Sequence, residues 1–177
     1  MKKVFITLFV ISVIIISIVI LESNKPKTES QENTGTSIGD FAPDFELKSI
    51  DDSNHKLNDY KGRPLIINFF ASWCPPCRAE MPEFQLIHEI GNITVLGINL
   101  QENPESIEKF ANELGITFPL LLDPNANIKA KYNVITQPVT YFINSNGKIV
   151  DKKLGPLTLK EMETKITILK SNSSNIT

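Results

Sequence analysis

Only two of the 177 residues are cysteine and only two are histidine. That scarcity excludes most metal chemistry. Tetrahedral zinc wants four ligands, and one cysteine pair supplies two of them; His55 and His88 are what remains, and neither has partner spacing. A copper-delivery domain would space its cysteines more widely and add a histidine. Charge of one sign is also missing. A formal net charge of −2, with acids and bases mixed along the chain, leaves no basic stripe to neutralise phosphates, so no nucleic-acid partner is expected. Nor does it leave a field large enough to steer a charged substrate. No internal repeat is apparent.

One long apolar run is present, at the N-terminus. Met1-Lys2-Lys3 is followed by Val4 to Leu21, apolar apart from Thr7, Ser12 and Ser17. A helix needs roughly 17–25 such residues to cross a hydrocarbon core, and this run reaches that length. A cleaved signal has a shorter apolar region of about 7–15 residues and an A-x-A-like site. Here Ile20-Leu21-Glu22-Ser23-Asn24 has no such site, and no cysteine for lipidation. Residues 1–21 are therefore read as a retained single-pass anchor, with Lys2 and Lys3 holding the N-terminus in the cytoplasm and the rest of the chain outside it. Residues 22–37 (ESNKPKTESQENTGTS) hold nothing that builds a core and read as a flexible, solvated linker. A folded domain is expected over 38–170, and a polar tail over 171–177.

Within the domain, Phe41 to Leu47 and Lys56-Leu57 read as a strand pair about the Asp51-Asp52-Ser53-Asn54 turn. Leu65 to Ala71 is an almost continuous apolar run suited to a central strand buried on both faces. A helix follows to Ile90, stopped by Gly91 and kinked at Pro82. Ile93 to Leu100 is a second buried strand, Pro104 to Leu114 an amphipathic helix, Phe118 to Leu122 a short strand and Asn125 to Tyr132 a further helix. Val139 to Ile143 turns through Asn146-Gly147 into Lys148 to Lys153, the clearest hairpin. Thr158 and Glu161 form a capping box for the last helix. This order implies an α/β sheet with helices on both faces.

The two cysteines are three positions apart, in Cys74-Pro75-Pro76-Cys77. A disulfide stabilises most by closing a long loop, and this one would close almost none, so the pair is better suited to chemistry than to stability. It sits where a buried strand hands over to a helix. Helix N-termini carry unpaired N–H groups and roughly half a positive charge, which favours a thiolate and lowers the Cys74 pKa below the free value of ~8.5. Pro75 suits the first helical position. Cys74 is then the exposed attacking sulfur, and Cys77, one turn on, the shielded resolving thiol; the redox centre is the Cys74–Cys77 disulfide and needs no other cofactor. Trp73 is either a platform for a docking peptide or a core residue. Asn68 reads as a satisfied structural polar group, and His88 as packing or surface. An inert buried cysteine pair remains the bland alternative.

Trp73-Cys74-Pro75-Pro76-Cys77 after an apolar strand, Pro82 in the helix and Pro138 before a later strand resemble the thioredoxin-like pattern. The anchor, the Gly39-Asp40-Phe41-Ala42-Pro43-Asp44-Phe45 lead-in and the additional segment near 94–122 are similar, more narrowly, to the ResA/TlpA group of extracytoplasmic thiol–disulfide oxidoreductases. The resemblance covers Ile38 to Leu169. It implies a thioredoxin-like fold: a central mixed β-sheet flanked by helices, an extra N-terminal strand pair, a central insertion and an N-terminal transmembrane helix. It further implies a cis peptide at Pro138 facing the cysteines, a Gln137 backbone that pairs with the substrate chain, and Pro75 and Pro76 lining the same surface. Glu80 matches the group's acidic residue that accepts a proton from the thiols; without the resemblance it reads as an exposed helix glutamate. The stretch Thr136-Gln137-Pro138-Val139-Thr140 departs from the group, which usually carries glycine before this proline and threonine after it.

The resemblance also implies a direction and partners: a monomeric reductant of protein disulfides, such as those of apocytochrome c haem-attachment motifs, itself reduced by a membrane thiol-transfer protein. Other cell-envelope or sporulation targets, a disulfide-forming oxidase and a non-enzymatic scaffold stay open. A peroxidase of the same superfold would want a peroxidatic cysteine in a threonine-containing loop, which is not found.

Overall fold

A computed structural model of the chain describes residues 33–173. The expected anchor, most of the expected linker and the end of the polar tail lie outside the described residues. Among those described, no helix is long and apolar enough to cross a membrane.

Five strands form one sheet in the order β5-β4-β3-β6-β7: β3 (Leu65–Phe70), β4 (Thr94–Leu100), β5 (Leu120–Asp123), β6 (Val139–Ile143) and β7 (Ile149–Leu154). β3 lies in the middle, parallel to β4 and antiparallel to β6. All six of its residues are buried, as the unbroken apolar run requires of a strand covered on both faces. Strand parity then divides the core. Ile66 and Phe70 face one layer, with Met81, Phe84, Phe110, Phe142, Met162 and Leu169. Leu65, Ile67 and Phe69 face the other, with Leu96, Tyr132 and Tyr141.

The first layer is covered by α1 (Pro75–Ile90), α2 (Pro104–Leu114) and α4 (Leu159–Ser171), and the second by α3 (Asn127–Lys131) and the N-terminal segment. α1 runs as a single helix through Pro82 and stops at Gly91, whose φ of 76° is the left-handed conformation glycine adopts without strain. α4 opens with the expected capping box, Thr158 and Glu161 bonding each other's backbone amides.

The extra strand pair is present but shorter than expected, β1 (Glu46–Lys48) against β2 (Asn54–Lys56). The N-terminal segment before it is tied down further upstream than expected. Thr34 bridges Phe41, Gly35 N–H donates to the Phe41 carbonyl at 3.0 Å, and Asn133 donates to Thr36 at 2.9 Å. Backbone pairing thus engages Asn33 to Ser37, residues whose polar composition reads as tether. Gly39 to Ala42 continue onto the turn between β6 and β7, Ala42 N–H reaching the Gly147 carbonyl at 3.0 Å. Tyr132 and Tyr141, both fully buried, complete that layer; Tyr132 donates to the Pro43 carbonyl at 2.7 Å and Tyr141 to the Tyr132 carbonyl at 2.5 Å.

At Gly97, β4 lies close against side chains of the first layer. A Cβ there would lie 2.6 Å from Leu120 Cδ2 and 3.0 Å from Phe70 Cε1, both in fully packed side chains. Phe70 is also stacked on Phe110, with centroids 5.2 Å apart, and cannot retreat without losing that contact. Gly97→Ala is expected to destabilise the domain by about 1–3 kcal/mol through overpacking. A urea midpoint equal to the parent's would show that Leu120 yields freely.

Candidate active site

The strand-to-helix handover places both sulfurs. β3 ends at Phe70, Cys74 N–H bonds back to the Ala71 carbonyl at 3.2 Å, and Cys74 becomes the N-cap of α1 with extended backbone angles. Pro75 and Pro76 occupy the first turn, where a missing N–H costs nothing. Cys74 Sγ accepts the Cys77 N–H at 3.3 Å, so a sulfur fills the capping role usually taken by a serine or aspartate oxygen. The two cysteines are disulfide-bonded, with Cα atoms 5.3 Å apart.

Cys77 is fully buried and Cys74 is 4 % exposed. The expected exposure of Cys74 is therefore corrected to near-complete burial: its side chain turns inward to cap the helix, while Trp73, Pro75 and Pro76 beside it stand in solvent. Trp73 is 67 % exposed, so it is not a core residue.

Glu80 is not an exposed helix glutamate. It is 2 % exposed, on the inward face of α1. Its Oε1 accepts from Asn68 Nδ2 at 2.8 Å and its Oε2 from the Leu157 N–H at 2.9 Å. Burial pushes its pKa up to about 7, against the pull of both hydrogen bonds and the nearby Lys153 charge. Lying one turn past Cys77, it is a group able to take or give a proton near neutral pH.

Asn68 departs from its expected role. Its Nδ2 also donates to Thr140 at 3.0 Å, but its buried Oδ1 has no partner, so it is not fully satisfied. The signal was available: Asn68 shares strand parity with Ile66 and Phe70, which puts it on the α1 side, facing Glu80. Leu157's amide carries no such signal, since backbone donors leave no trace in sequence pattern.

The Gln137–Pro138 peptide is cis. Val139 pairs with Phe69 at the end of β3, which brings Pro138 to the end of the sheet where the cysteine motif starts. The Pro138 carbonyl accepts Gly155 N–H at 2.9 Å. Among the described residues none bonds the half-buried Gln137 backbone, leaving it free to pair with another chain. Ile135, two residues earlier, is 88 % exposed. The histidines stand apart: His88 packs edge-on against Phe118, and His55 bonds Ser53 and Tyr60 on the N-terminal strand pair. Among the described residues no group of three or more histidine, cysteine or acidic side chains could hold a metal ion.

The AhpC/TSA family model matches residues 38–152. The chain belongs to the AhpC/TSA family. Among its relatives, a thiol-disulfide oxidoreductase ResA from Geobacillus kaustophilus is 34 % identical over 78 % of this chain and 82 % of its own. A sporulation thiol-disulfide oxidoreductase A from Bacillus subtilis is 31 % identical over 67 % and 75 %. The crystal structure of StoA from Bacillus subtilis superposes with a TM-score of 0.61 at 29 % identity, covering 70 % of this chain and 96 % of that one. Within the AhpC/TSA family the chain is thus a thioredoxin-like thiol–disulfide oxidoreductase of the ResA kind, and Cys74 and Cys77 form its only cysteine pair.

The Glu80 carboxyl gives a signed prediction for the oxidised protein, in which neither cysteine titrates. An ordinary carboxyl ionises near 4.5, whereas folded Glu80 holds its proton to about 7. The folded state therefore binds the extra proton between those values. The associated stability is complete below pH 4.5 and is lost as pH rises through 7, a loss of about 3 kcal/mol. Glu80→Gln should remove that decline. Identical pH slopes in chemical denaturation of parent and variant would show that Glu80 ionises normally.

Proposed function

We propose that this domain is an extracytoplasmic, membrane-anchored reductase of disulfides in other proteins, acting in cytochrome c maturation on haem-attachment cysteines. The observation that carries the reading is the inequality of the two sulfurs. Cys74 caps the helix, with an amide to hold its charge, and keeps 4 % of its surface in solvent, whereas Cys77 lies one turn on and is fully buried. In the reduced protein the Cys74 thiolate attacks a sulfur of the target disulfide and releases one target thiolate. The Cys77 thiol then gives its proton to Glu80 and attacks Cys74 Sγ. The Cys74–Cys77 disulfide closes and the second target sulfur leaves. Two electrons pass to the target, and a membrane thiol-transfer donor restores them.

The unpaired Gln137 backbone beside the cis-Pro138 supports docking of an extended target chain by strand-like pairing. Trp73, Pro75, Pro76 and Ile135 supply exposed apolar surface at the same end of the sheet. The resemblance to the ResA/TlpA group favours reduction, and the apolar run over residues 1–21 supports an N-terminal anchor that leaves the catalytic domain outside the cytoplasm. The sporulation relative supports a second reading of the target, the same chemistry applied to a spore-envelope protein.

Cys77→Ser should trap targets as mixed disulfides, because attack proceeds and resolution does not. Mass spectrometry of the adducts is expected to return apocytochrome c peptides; spore-envelope peptides in their place would select the second reading. The absence of any adduct, with Cys74 shown reactive to alkylation, would falsify the reductase. The direction of electron flow has its own measurement. Equilibration of the Cys74–Cys77 pair with glutathione or dithiothreitol should give a potential near that of thioredoxin, about −270 mV, and a value near about −120 mV would make the domain an oxidant.

A further inference from the structure

Trp73 stands 67 % exposed, and among the described residues it has no hydrogen bond or ring contact of its own. The backbone that carries it is gripped at the preceding residue, Ser72. Ser72 N–H donates to Glu102 Oε2 at 2.7 Å, and its hydroxyl donates to Glu102 Oε1. From the other side, Arg78 Nη1 donates to the Ser72 carbonyl at 3.2 Å. Every polar group of Ser72 is thus held by a charged side chain, and such charge-assisted bonds are roughly twice as strong as neutral ones.

Glu102 is itself fixed. It follows Gln101, whose φ of 61° is a left-handed conformation uncommon outside glycine. The fully buried Asn99 then binds it twice, donating to Oε2 at 2.7 Å and accepting the Glu102 N–H at 3.2 Å. Arg78 is held as firmly, paired to Glu113 of α2 at 2.9 Å and lying over the Phe110 ring at 5.2 Å. The segment from Asn99 to Glu113 therefore works as a bracket on the residue preceding the tryptophan. Neither charged group bonds a sulfur.

We infer that Glu102 is a positioning residue: by clamping Ser72 it fixes the Trp73 ring as a rigid docking surface for the target chain beside Cys74. The inference rests on the reading of Trp73 as a docking surface. Misplacing a substrate-positioning group by about 1 Å can cost on the order of 100-fold in rate, and a side chain released to rotate at the rim should cost less.

Trp73 is the chain's only tryptophan, so its fluorescence reports the pose directly. The full chain, oxidised and in detergent micelles, is measured as parent, Glu102→Ala and Glu102→Gln. Steady-state anisotropy should fall in Glu102→Ala and recover in Glu102→Gln, which keeps an acceptor oxygen for the Ser72 N–H. After reduction, exchange with a disulfide-bonded peptide should fall about tenfold in Glu102→Ala, and by a smaller factor with a small aromatic disulfide too short to span the ring. Unchanged anisotropy in Glu102→Ala overturns the clamp, and so does an equal loss on both substrates, which would place the damage at the sulfurs. Reduced anisotropy with undiminished peptide exchange overturns Trp73 as a docking surface. If Glu102→Ala does not fold, Ser72→Ala takes its place: it deletes the hydroxyl bond to Glu102, its anisotropy should fall below the parent's, and a value equal to the parent's overturns the clamp. The anisotropy needs no substrate, so its outcome is independent of whether the domain is a reductase.

Discussion

A helix that begins against the end of a buried strand starts with amides that no intrahelical carbonyl can satisfy. In this domain the group that answers one of them is a sulfur. Cys74 Sγ accepts the Cys77 amide, and that one contact determines the character of the site. It places the first sulfur where partial positive charge is concentrated, turns it inward until only a sliver of surface remains, and sets the second sulfur one turn deeper. The prolines between them serve the same end, since neither brings an N–H that would compete for the cap. β3 is what makes this possible: buried on both faces, it delivers the chain to the handover in one direction with no freedom to shift.

Much of this is legible in the residues alone. The run from Leu65 to Ala71 announced a central strand because nothing polar interrupts it except Asn68. Asn146-Gly147 marked the hairpin, and Thr158 with Glu161 the last helix, because turns and caps are local chemistry carried by the residues themselves. The spacing of Cys74 and Cys77 carried the reaction class. Strand parity placed Asn68 opposite α1, but that its Oδ1 goes unpaired depends on which atoms of α1 and β6 face it, which pattern does not record. The burial of Glu80 depends on how α1 rolls against the sheet, which periodicity gives only approximately. The bonds between Glu102 and Ser72 span thirty positions, a separation at which a single sequence records nothing. Asn33 to Ser37 were misread for the opposite reason: they are held by backbone pairing, to which composition is blind.

Two parts of the candidate site meet in the short connection from β7 to α4. Gly155 bonds the carbonyl of Pro138, and Leu157 bonds the carboxyl of Glu80. The cis-proline loop and the acid one turn past Cys77 are thus joined through three consecutive residues, with Pro156 in the middle. Burial of Glu80 and placement of Pro138 are properties of one small piece of backbone.

The strap formed by Gly39 to Ala42 has a mechanical consequence. It is stitched to the turn at the far end of β6 and β7 from Pro138, so the polypeptide joins the sheet at the pole remote from the sulfurs. Tension arriving along the chain from its N-terminal side is borne by the bonds to Gly147 and Ile149 and by the hydroxyl of Tyr132. The pole that carries Cys74 takes none of that load.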